Sequence, residues 1–99
     1  MPPRACKKDE NQDAIAGELE KVGLLVIDAH EFAQYHPGIA DLLVHWGARM
    51  AYVEIKHGSE GLTPAEQKFQ RLCQANGVPY VVLRETYAAQ LWAVAFRTE

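Results

Sequence analysis

The chain has 99 residues, of which 48% are hydrophobic, and its formal net charge is −3. This length suits one small domain with its own core and excludes a multidomain architecture. No apolar run is long enough to span a membrane, and the first twelve residues lack the apolar segment of a secretion signal. The acidic balance argues against coating nucleic acid through charge alone, but it allows an enzyme whose carboxylates hold metal ions.

The two cysteines carry no recognisable metal or redox motif. Cys6 and Cys73 lie far apart, without a Cys-x-x-Cys or Cys/His spacing. Free thiols in a reducing compartment are therefore expected, and with them a cytoplasmic protein that has no contact with a membrane.

The N-terminal segment predicts an arm followed by a helix. Residues 1–8 contain two prolines and three basic residues, so we expect a flexible arm ahead of a single domain over residues 9–99. Asp9 and Gln12 have the spacing of a capping box that opens a helix. Gly23 stands where a glycine commonly ends one.

Residues 37–56, PGIADLLVHWGARMAYVEIK, have the pattern of a β-hairpin. Two runs of alternating and apolar residues flank Gly47 and Ala48. Glycine in the first position of a two-residue loop favours a type II′ turn. A four-residue loop would keep the same strand register, whereas a three-residue loop would shift it.

The register of this hairpin brings two carboxylates together. If Trp46 pairs with Arg49, then Asp41 lies directly opposite Glu54, with Cβ atoms about 5 Å apart. Lys56 is on the same face as Glu54, because side chains alternate along a strand. The opposite face is apolar and should pack on a helix; it carries Leu42, Val44, Trp46, Ala51, Val53 and Ile55.

The other elements follow from short apolar or periodic runs bounded by glycine, proline and capping residues. In the last helix we expect Tyr87, Leu91 and either Val94 or Ala95 to face inward. The predicted elements are a strand at 24–29, loops at 30–36 and 57–61, a helix at 63–76 with a Thr63 cap, a strand at 80–83 and a helix from 86. The order α-β-β-β-α-β-α indicates a mixed α/β (α+β) fold, with a mixed sheet flanked by helices.

Two facing carboxylates repel, at a cost of about 3 kcal/mol at an effective dielectric near 20. Protonation of one of them or a bound cation relieves this repulsion. Oxygen ligands at this separation suit Mg²⁺ or Mn²⁺, to which the Ile55 backbone carbonyl can add a third ligand. Such an ion activates water and polarises a phosphoryl oxygen, and Lys56 can orient the water or offset charge on the phosphate. The chemistry indicated is phosphodiester hydrolysis.

Three segments resemble one nuclease family. An Asp and a Glu-x-Lys on a hairpin, between helices, resemble the PD-(D/E)XK nuclease superfamily with its restriction-endonuclease-like core. The VRR-NUC branch is the closer resemblance: GIADLL at 38–43 is similar to its G-[IV]-x-D-L-[LI] segment, VEIK at 53–56 to its E-[VI]-K strand, and LTPAEQ at 62–67 to its L-[ST]-x-x-Q helix start.

This resemblance implies an activity and roles for residues. Asp41 and Glu54 would be metal ligands, Lys56 the catalytic lysine and Gln67 a residue that supports the site. Small stand-alone members of the branch are bacterial or phage proteins that form homodimers and cut branched DNA such as four-way (Holliday) junctions. A structure-selective endonuclease that uses Mg²⁺ or Mn²⁺ is therefore expected.

The first helix departs from the family pattern. The family usually places an acidic residue there, near the metals, but the corresponding position holds Lys8. Asp9 is the tentative replacement ligand and Glu10 is adjacent to it, while Asn11 and Gln12 are alternatives that could face the site.

Other interpretations remain open at this stage. Asp41 and Glu54 could be two solvated strand carboxylates, Lys56 a plain ion-pair partner and Gln67 an ordinary helix-surface residue. The substrate could be a flap, single-stranded or nicked DNA. A chain lacking the first-helix acid could also be a non-catalytic nucleic-acid-binding or protein-binding module on a degenerate nuclease fold.

Overall fold

The computed structural model describes the backbone of residues 3–98 and the side chains of residues 10–98. Over these residues, three α-helices and four strands follow one another in the predicted order, and a 3₁₀ helix that was not predicted lies between the first two strands. They are α1 (Pro3–Lys21), β1 (Leu25–Asp28), the 3₁₀ helix (His30–Gln34), β2 (Leu42–Trp46), β3 (Arg49–Ile55), α2 (Pro64–Ala75), β4 (Tyr80–Leu83) and α3 (Thr86–Thr98). The mixed α+β class is confirmed. Within residues 3–98, no helix has both the length and the apolar character needed to cross a membrane.

The first helix begins earlier than the sequence predicted. Helix α1 starts at Pro3, so Asp9 lies inside it and the predicted capping box is wrong. Proline is compatible with the first helical turn, and residues 4–10 contain no glycine or β-branched residue to interrupt a helix. Residues 3–8, predicted as an arm, therefore have a helical backbone, while residues 1 and 2 of that arm lie outside the described residues.

The segment predicted as a loop before the hairpin contains a 3₁₀ helix. Its turns are closed by bonds from the Phe32 N–H to the Ala29 carbonyl and from the Tyr35 N–H to the Phe32 carbonyl. The Asp28 carboxylate accepts the His30 N–H at 2.8 Å and so fixes the entry to the helix. Side-chain to backbone bonds of this kind are typical of aspartate at such turns.

The four strands form one sheet in the order β1-β2-β3-β4. The first three are antiparallel neighbours, and β4 runs parallel to β3. Trp46 pairs with Arg49, which confirms the predicted hairpin register. Gly47 has φ +62° and Ala48 does not have a positive φ, as a type II′ turn requires.

The core lies between one face of the sheet and helices α1 and α3. The hairpin face predicted to be apolar is buried there, against Ile15 and Leu19 of α1. Helix α2 covers part of the opposite face, where the Phe69 ring meets Tyr52 edge-on at 4.9 Å between centroids. The two faces of β3 therefore have different roles: one forms the core, and the other carries the candidate site under α2.

The inward face of α3 differs from the prediction. Ala89, Ala93 and Phe96 are buried, whereas Tyr87, Leu91 and Val94 are exposed, as is Ala95. Both stripes have helical spacing, so hydrophobicity alone favoured the one with larger side chains. The small alanines face inward because α3 packs against α1 as well as the sheet, and alanine allows close approach.

Candidate metal centre

Asp41 and Glu54 meet at the edge where the hairpin is open. One residue beyond the last paired position of β2 and β3, the register places Asp41 opposite Glu54, as predicted. Oδ2 of Asp41 accepts a hydrogen bond from the Ile55 N–H at 2.8 Å. The backbone carbonyl of Asp41 accepts one from the Ala29 N–H at 2.9 Å. These bonds hold the Asp41 carboxylate against the end of β3.

Glu54 and Lys56 are both buried, at 2% exposure each, although they are charged residue types. The Lys56 ammonium lies 3.8 Å from Oε2 of Glu54 and 2.7 Å from Oε1 of Glu66. Burying charged groups is costly unless they are paired, and a chain rarely does so without a compensating role. The closer partner of Lys56 is Glu66, the third residue of α2, where the sequence alone indicates a helix-capping role.

Helix capping orients the Glu66 side chain toward Lys56. Thr63 caps α2: its hydroxyl accepts the Glu66 N–H at 3.2 Å, and Oε1 of Glu66 accepts the Thr63 N–H at 2.8 Å. This capping box turns the Glu66 side chain back over the helix start, where it also reaches Lys56. The same carboxylate thus stabilises the helix and pairs with the buried ammonium.

The close approach of Gly38 to α2 fixes the distance between the Asp41 loop and Glu66. Gly38 has φ +88°, and a Cβ there would overlap the backbone carbonyl of Ala65. Only glycine accommodates both the left-handed backbone and this contact. The contact therefore joins the segment that precedes Asp41 to the first turn of α2.

Gly38→Ala should destabilise the protein by about 3 kcal/mol or more, because it adds backbone strain to a collision with main-chain atoms. Chemical denaturation measures this loss. Gly61→Ala is the matched control, since Gly61 has no positive φ and nothing within 4 Å of an added Cβ, and its stability should stay close to wild type. Equal stability of the two variants would contradict the described packing.

Burial raises the pKa of Glu54 to about 9, and the charges of Asp41 and Glu66 add to this shift. Lys56 acts in the opposite direction but does not cancel it. Near neutral pH, Glu54 therefore keeps its proton as long as no cation is present. A divalent cation beside the two carboxylates would favour the ionised form, as it does for ligands in metal sites.

Lys56 remains a cation in this environment. Burial lowers the pKa of its ammonium, but the hydrogen bond to Glu66 and the charges of Glu66 and Glu54 outweigh burial, so the net shift is upward. Burial likewise acts to raise the pKa of Glu66, and the bonds from Lys56 and from the Thr63 N–H reverse it to a net decrease. Lys56 and Glu66 thus form a stable ion pair, and Lys56 has the charge of an electrostatic stabiliser rather than a base.

Two buried polar atoms lie beside this ion pair. Within the part of the chain that the structure describes, the hydroxyl of Tyr80 has no hydrogen-bond partner and Oε1 of Glu54 accepts no hydrogen bond. The protonated Glu54 carboxyl shares a hydrogen bond with Asp41, which adds to the rise in its pKa. The charge of Glu54 also helps to raise the pKa of Tyr80, after burial, which is the larger cause. A cation bound between Asp41 and Glu54 would take the place of this shared proton and give the Glu54 oxygen a partner.

The donor set for such a cation is small. Asp41 and Glu54 supply carboxylates, and the Ile55 carbonyl lies on the same edge of β3 as the N–H that binds Asp41. Among the side chains of residues 10–98, no three His, Cys, Asp or Glu residues are grouped as a metal site. Two carboxylates match Mg²⁺, which keeps several waters and commonly takes only one or two carboxylates from a protein.

Helix α1 reaches the site through an amide. The Asn11 side chain donates to the Lys56 carbonyl at 3.3 Å. Asn11 is one of the two residues of this helix, with Gln12, that were predicted as alternatives facing the site. Glu10 is exposed. Asp9, the tentative metal ligand, has a helical backbone, but its side chain lies outside the described residues. The side chain through which α1 is described to contact the site is therefore an uncharged amide.

Gln67 does not contact the carboxylates through any described bond. Its side-chain amide is exposed and donates to the Leu62 carbonyl at 3.1 Å, across the turn that precedes α2. Gln67 thus stabilises the start of α2, whereas its neighbour Glu66 reaches Lys56. Any support that Gln67 gives the site acts through the helix start.

None of the family models, curated proteins or solved structures that were compared with the chain matches it. The chemistry of the site must therefore be argued from its own residues.

Arg84 shapes the loop that follows Lys56. Its guanidinium donates to the carbonyls of Gly58 and Glu60 at 2.9 and 2.6 Å. This bridge ties residues 57–61 to the end of β4 and gives the loop beside the buried ion pair a defined path. A substrate that approaches the carboxylates from the open end of the hairpin would pass this loop.

Metal binding should strengthen as the pH rises toward 9. Glu54 holds a proton below its raised pKa of about 9 and must release it to bind a cation. With one proton released per ion, the Kd for Mn²⁺ should fall about tenfold per pH unit between pH 6 and 8. Titration calorimetry in two buffers of different ionisation enthalpy measures both the number of protons released and the Kd. A Kd that does not change with pH would contradict the proposal that Glu54 releases a proton when the ion binds.

Proposed function

We propose that this protein is a divalent-metal-dependent endodeoxyribonuclease that hydrolyses phosphodiester bonds in branched DNA such as four-way junctions. The observation that carries the proposal is the buried Glu54 carboxyl, which shares a proton with Asp41 and lies beside the protonated Lys56. A fold gains no stability from this arrangement in the absence of a ligand. A cation and a phosphate would satisfy its charges.

Asp41 and Glu54, with the Ile55 carbonyl, would hold Mg²⁺ or Mn²⁺. When bound, the ion supplies Lewis-acid activation of water and of the phosphoryl group. Asp41 is oriented for this role by the bond from the Ile55 N–H. Glu54 gives up its proton on binding and is held in place by burial on all sides.

Lys56 offsets the negative charge that develops on the phosphate, since its raised pKa keeps it protonated. It can also orient the attacking water through a free N–H. Glu66 is a positioning residue: it fixes the ammonium from the start of α2 at 2.7 Å, and its side chain also shares a hydrogen bond with Glu54. Removing Glu66 should therefore lower activity less than removing Lys56.

The preference for branched DNA rests on the resemblance to the VRR-NUC branch. The three segments that carry it converge in space although they are separated in the chain. Gly38 contacts Ala65, and Asp41 bonds to the Ile55 N–H. This convergence supports a common role for the three segments. Such a DNA enzyme would act in the cytoplasm, where a bacterial or phage gene would be expressed.

A homodimer is part of the proposal, because paired sites suit paired incisions. The exposed apolar stripe of Tyr87, Leu91 and Val94 on α3 is its candidate contact. Leu91→Glu should convert a dimer into monomers in sedimentation equilibrium. Glu20→Gln, an exposed change on α1, serves as the control and should leave the mass unchanged. A monomeric wild-type protein at micromolar concentration would contradict the dimer but not the active centre.

The test of the function is cleavage of labelled DNA. A four-way junction, a flap and a plain duplex of the same sequence are incubated with the protein, with Mn²⁺ or with chelator. We expect Mn²⁺-dependent cutting, fastest on the junction, and at least about 10²-fold less with Asp41→Asn. Cutting in chelator, or undiminished cutting by Asp41→Asn, would refute the proposal. Faster cutting of the flap would favour the alternative substrate.

A non-catalytic binding module is the second candidate. It is favoured by the small donor set, since the described side chains offer two carboxylates and no third acidic ligand from α1. This candidate predicts junction binding in a gel-shift assay without cleavage and without calorimetric heat from Mn²⁺. Heat from Mn²⁺ that Asp41→Asn abolishes would exclude it.

A further inference from the structure

A second candidate site lies at the other end of β3 from the proposed nuclease centre, with Tyr80 between the two. A cavity of about 590 Å³ opens between the start of β3, the residues that lead into β4 and the C-terminal half of α3. Arg49 lines it and is five residues from Glu54 along the strand, or about 17 Å. Its volume is within the range of small-molecule pockets, about 300–1,000 Å³.

Arg49 carries an uncompensated charge at this cavity. It is half-buried, and no ion pair joins it to any residue that the structure describes. Its Nη2 atom is buried without a hydrogen-bond partner. The compensation that is present is a cation–π contact, with the guanidinium carbon 4.8 Å from the centroid of the Phe96 ring. This contact uses the face of the guanidinium and leaves its N–H edge for an anion.

The rest of the cavity is apolar. Trp92 stacks on Phe96 with 4.8 Å between centroids and 13° between the ring planes. The lining is completed by apolar residues and one tyrosine, and no carboxylate is among them: Met50, Gly77, Val78, Pro79, Tyr80 and Ala95. A single positive group beside an apolar wall is the arrangement that suits a ligand with one anionic end and an apolar body.

We propose that this cavity binds a monocarboxylate with a ring-sized apolar body. The carboxylate would accept bonds from the Arg49 guanidinium, and the body would lie against Trp92 and Pro79. One guanidinium, with no second cation among the lining residues, matches a monoanion better than a phosphate dianion. The planar guanidinium also matches a planar carboxylate.

The test uses 2-naphthoate as the probe and 2-naphthamide as its neutral analogue, in calorimetric titrations of the full chain without divalent metal. We expect saturable 2-naphthoate binding with a Kd of about 1 mM or tighter. Both 2-naphthamide on wild type and 2-naphthoate on Arg49→Met should bind about 10- to 100-fold more weakly, the loss expected for a charge-assisted hydrogen bond. Arg71→Met, which changes an exposed arginine of α2, should bind as wild type does.

Ala95→Phe gives a second readout that leaves Arg49 intact. Ala95 is exposed at the cavity wall, so phenylalanine there should fill the space and abolish binding without disturbing the core. A melting curve like that of wild type confirms folding. No binding to wild type, equal affinity for the amide, or undiminished binding by both Arg49→Met and Ala95→Phe would overturn the proposal. None of these results bears on the nuclease centre.

Discussion

Lys56→Met is expected to lower the rate of junction cleavage by about 10³-fold while the chain still folds. The ammonium is the cation that the structure places beside the carboxylate pair, and its loss leaves the charge on the phosphate unopposed in the transition state. Methionine keeps most of the buried volume, so packing should change little. The measurement is single-turnover cleavage at a temperature where denaturation shows the variant to be folded.

The same change should cost about 3 kcal/mol of stability. Removing one partner of a buried ion pair is typically costly, and the lower end of the range applies because Glu66 keeps its bond from the Thr63 N–H. Lys21→Met is the matched control: Lys21 is exposed and pairs with Glu18 at 3.1 Å. Its activity and stability should remain near wild type. Full activity of Lys56→Met would remove the lysine from the mechanism.

Glu54→Gln should abolish cleavage and yet stabilise the metal-free protein. Activity should fall about 10³-fold or more, because the amide cannot replace a carboxylate ligand. Stability should rise by about 3 kcal/mol at pH 7, since glutamine reproduces the neutral form of Glu54 without its cost of protonation. Opposite effects on activity and stability are expected where a group that the activity requires also destabilises the fold.

The size of this effect depends on pH. The folded pKa of Glu54, about 9, exceeds the ordinary value of 4.5, so the folded state holds its proton after the unfolded state has lost it. Glu54 therefore destabilises the metal-free protein progressively from pH 4.5 to about 9. The gain from Glu54→Gln should vanish near pH 4 and shrink when Mn²⁺ is added to wild type.

Urea denaturation at pH 4 and pH 7 measures these differences. Glu20→Gln, on the exposed side of α1, supplies the control and should show no pH-dependent gain. A loss of stability in Glu54→Gln at pH 7 would contradict the conclusion that Glu54 destabilises the metal-free protein. It would favour instead an ordinary salt bridge between Glu54 and Lys56.

The centre of the candidate site could be predicted from the hairpin alone. Gly47 selects a two-residue turn, the turn sets the register, and the register brings Asp41 to Glu54. Each step depends on local geometry with a period of two, which a sequence expresses directly. The cap at Thr63 and the limits of β4 were also predictable, because capping residues and turn residues are local sequence signals.

Contacts between distant segments were not predictable in this way. The close approach of Gly38 to Ala65 and the ion pair of Lys56 with Glu66 depend on how α2 docks on the sheet. A glutamate at the third position of a helix was interpreted as a cap, and it is one. Its second role follows only from the position of α2 above Lys56, which no local pattern specifies.

Helix faces and starts were ambiguous for energetic reasons. Helix α3 has two apolar stripes of equal period, and tertiary packing chose the one with small residues. The start of α1 at Pro3 reflects a run of residues with good helix propensity before Asp9, which outweighs a weak capping signal. Propensity and period predict that a helix exists better than they predict where it begins or which side it buries.

The central claim, that Asp41 and Glu54 form a divalent-metal centre, is tested most directly by crystals of the protein grown with Mn²⁺. Anomalous diffraction locates the ion. The expected result is a peak between the two carboxylates, about 2.1 Å from an oxygen of each and absent from crystals of Asp41→Asn. Ordered carboxylates with no peak between them at saturating Mn²⁺, or with Lys56 occupying that position, would contradict the claim.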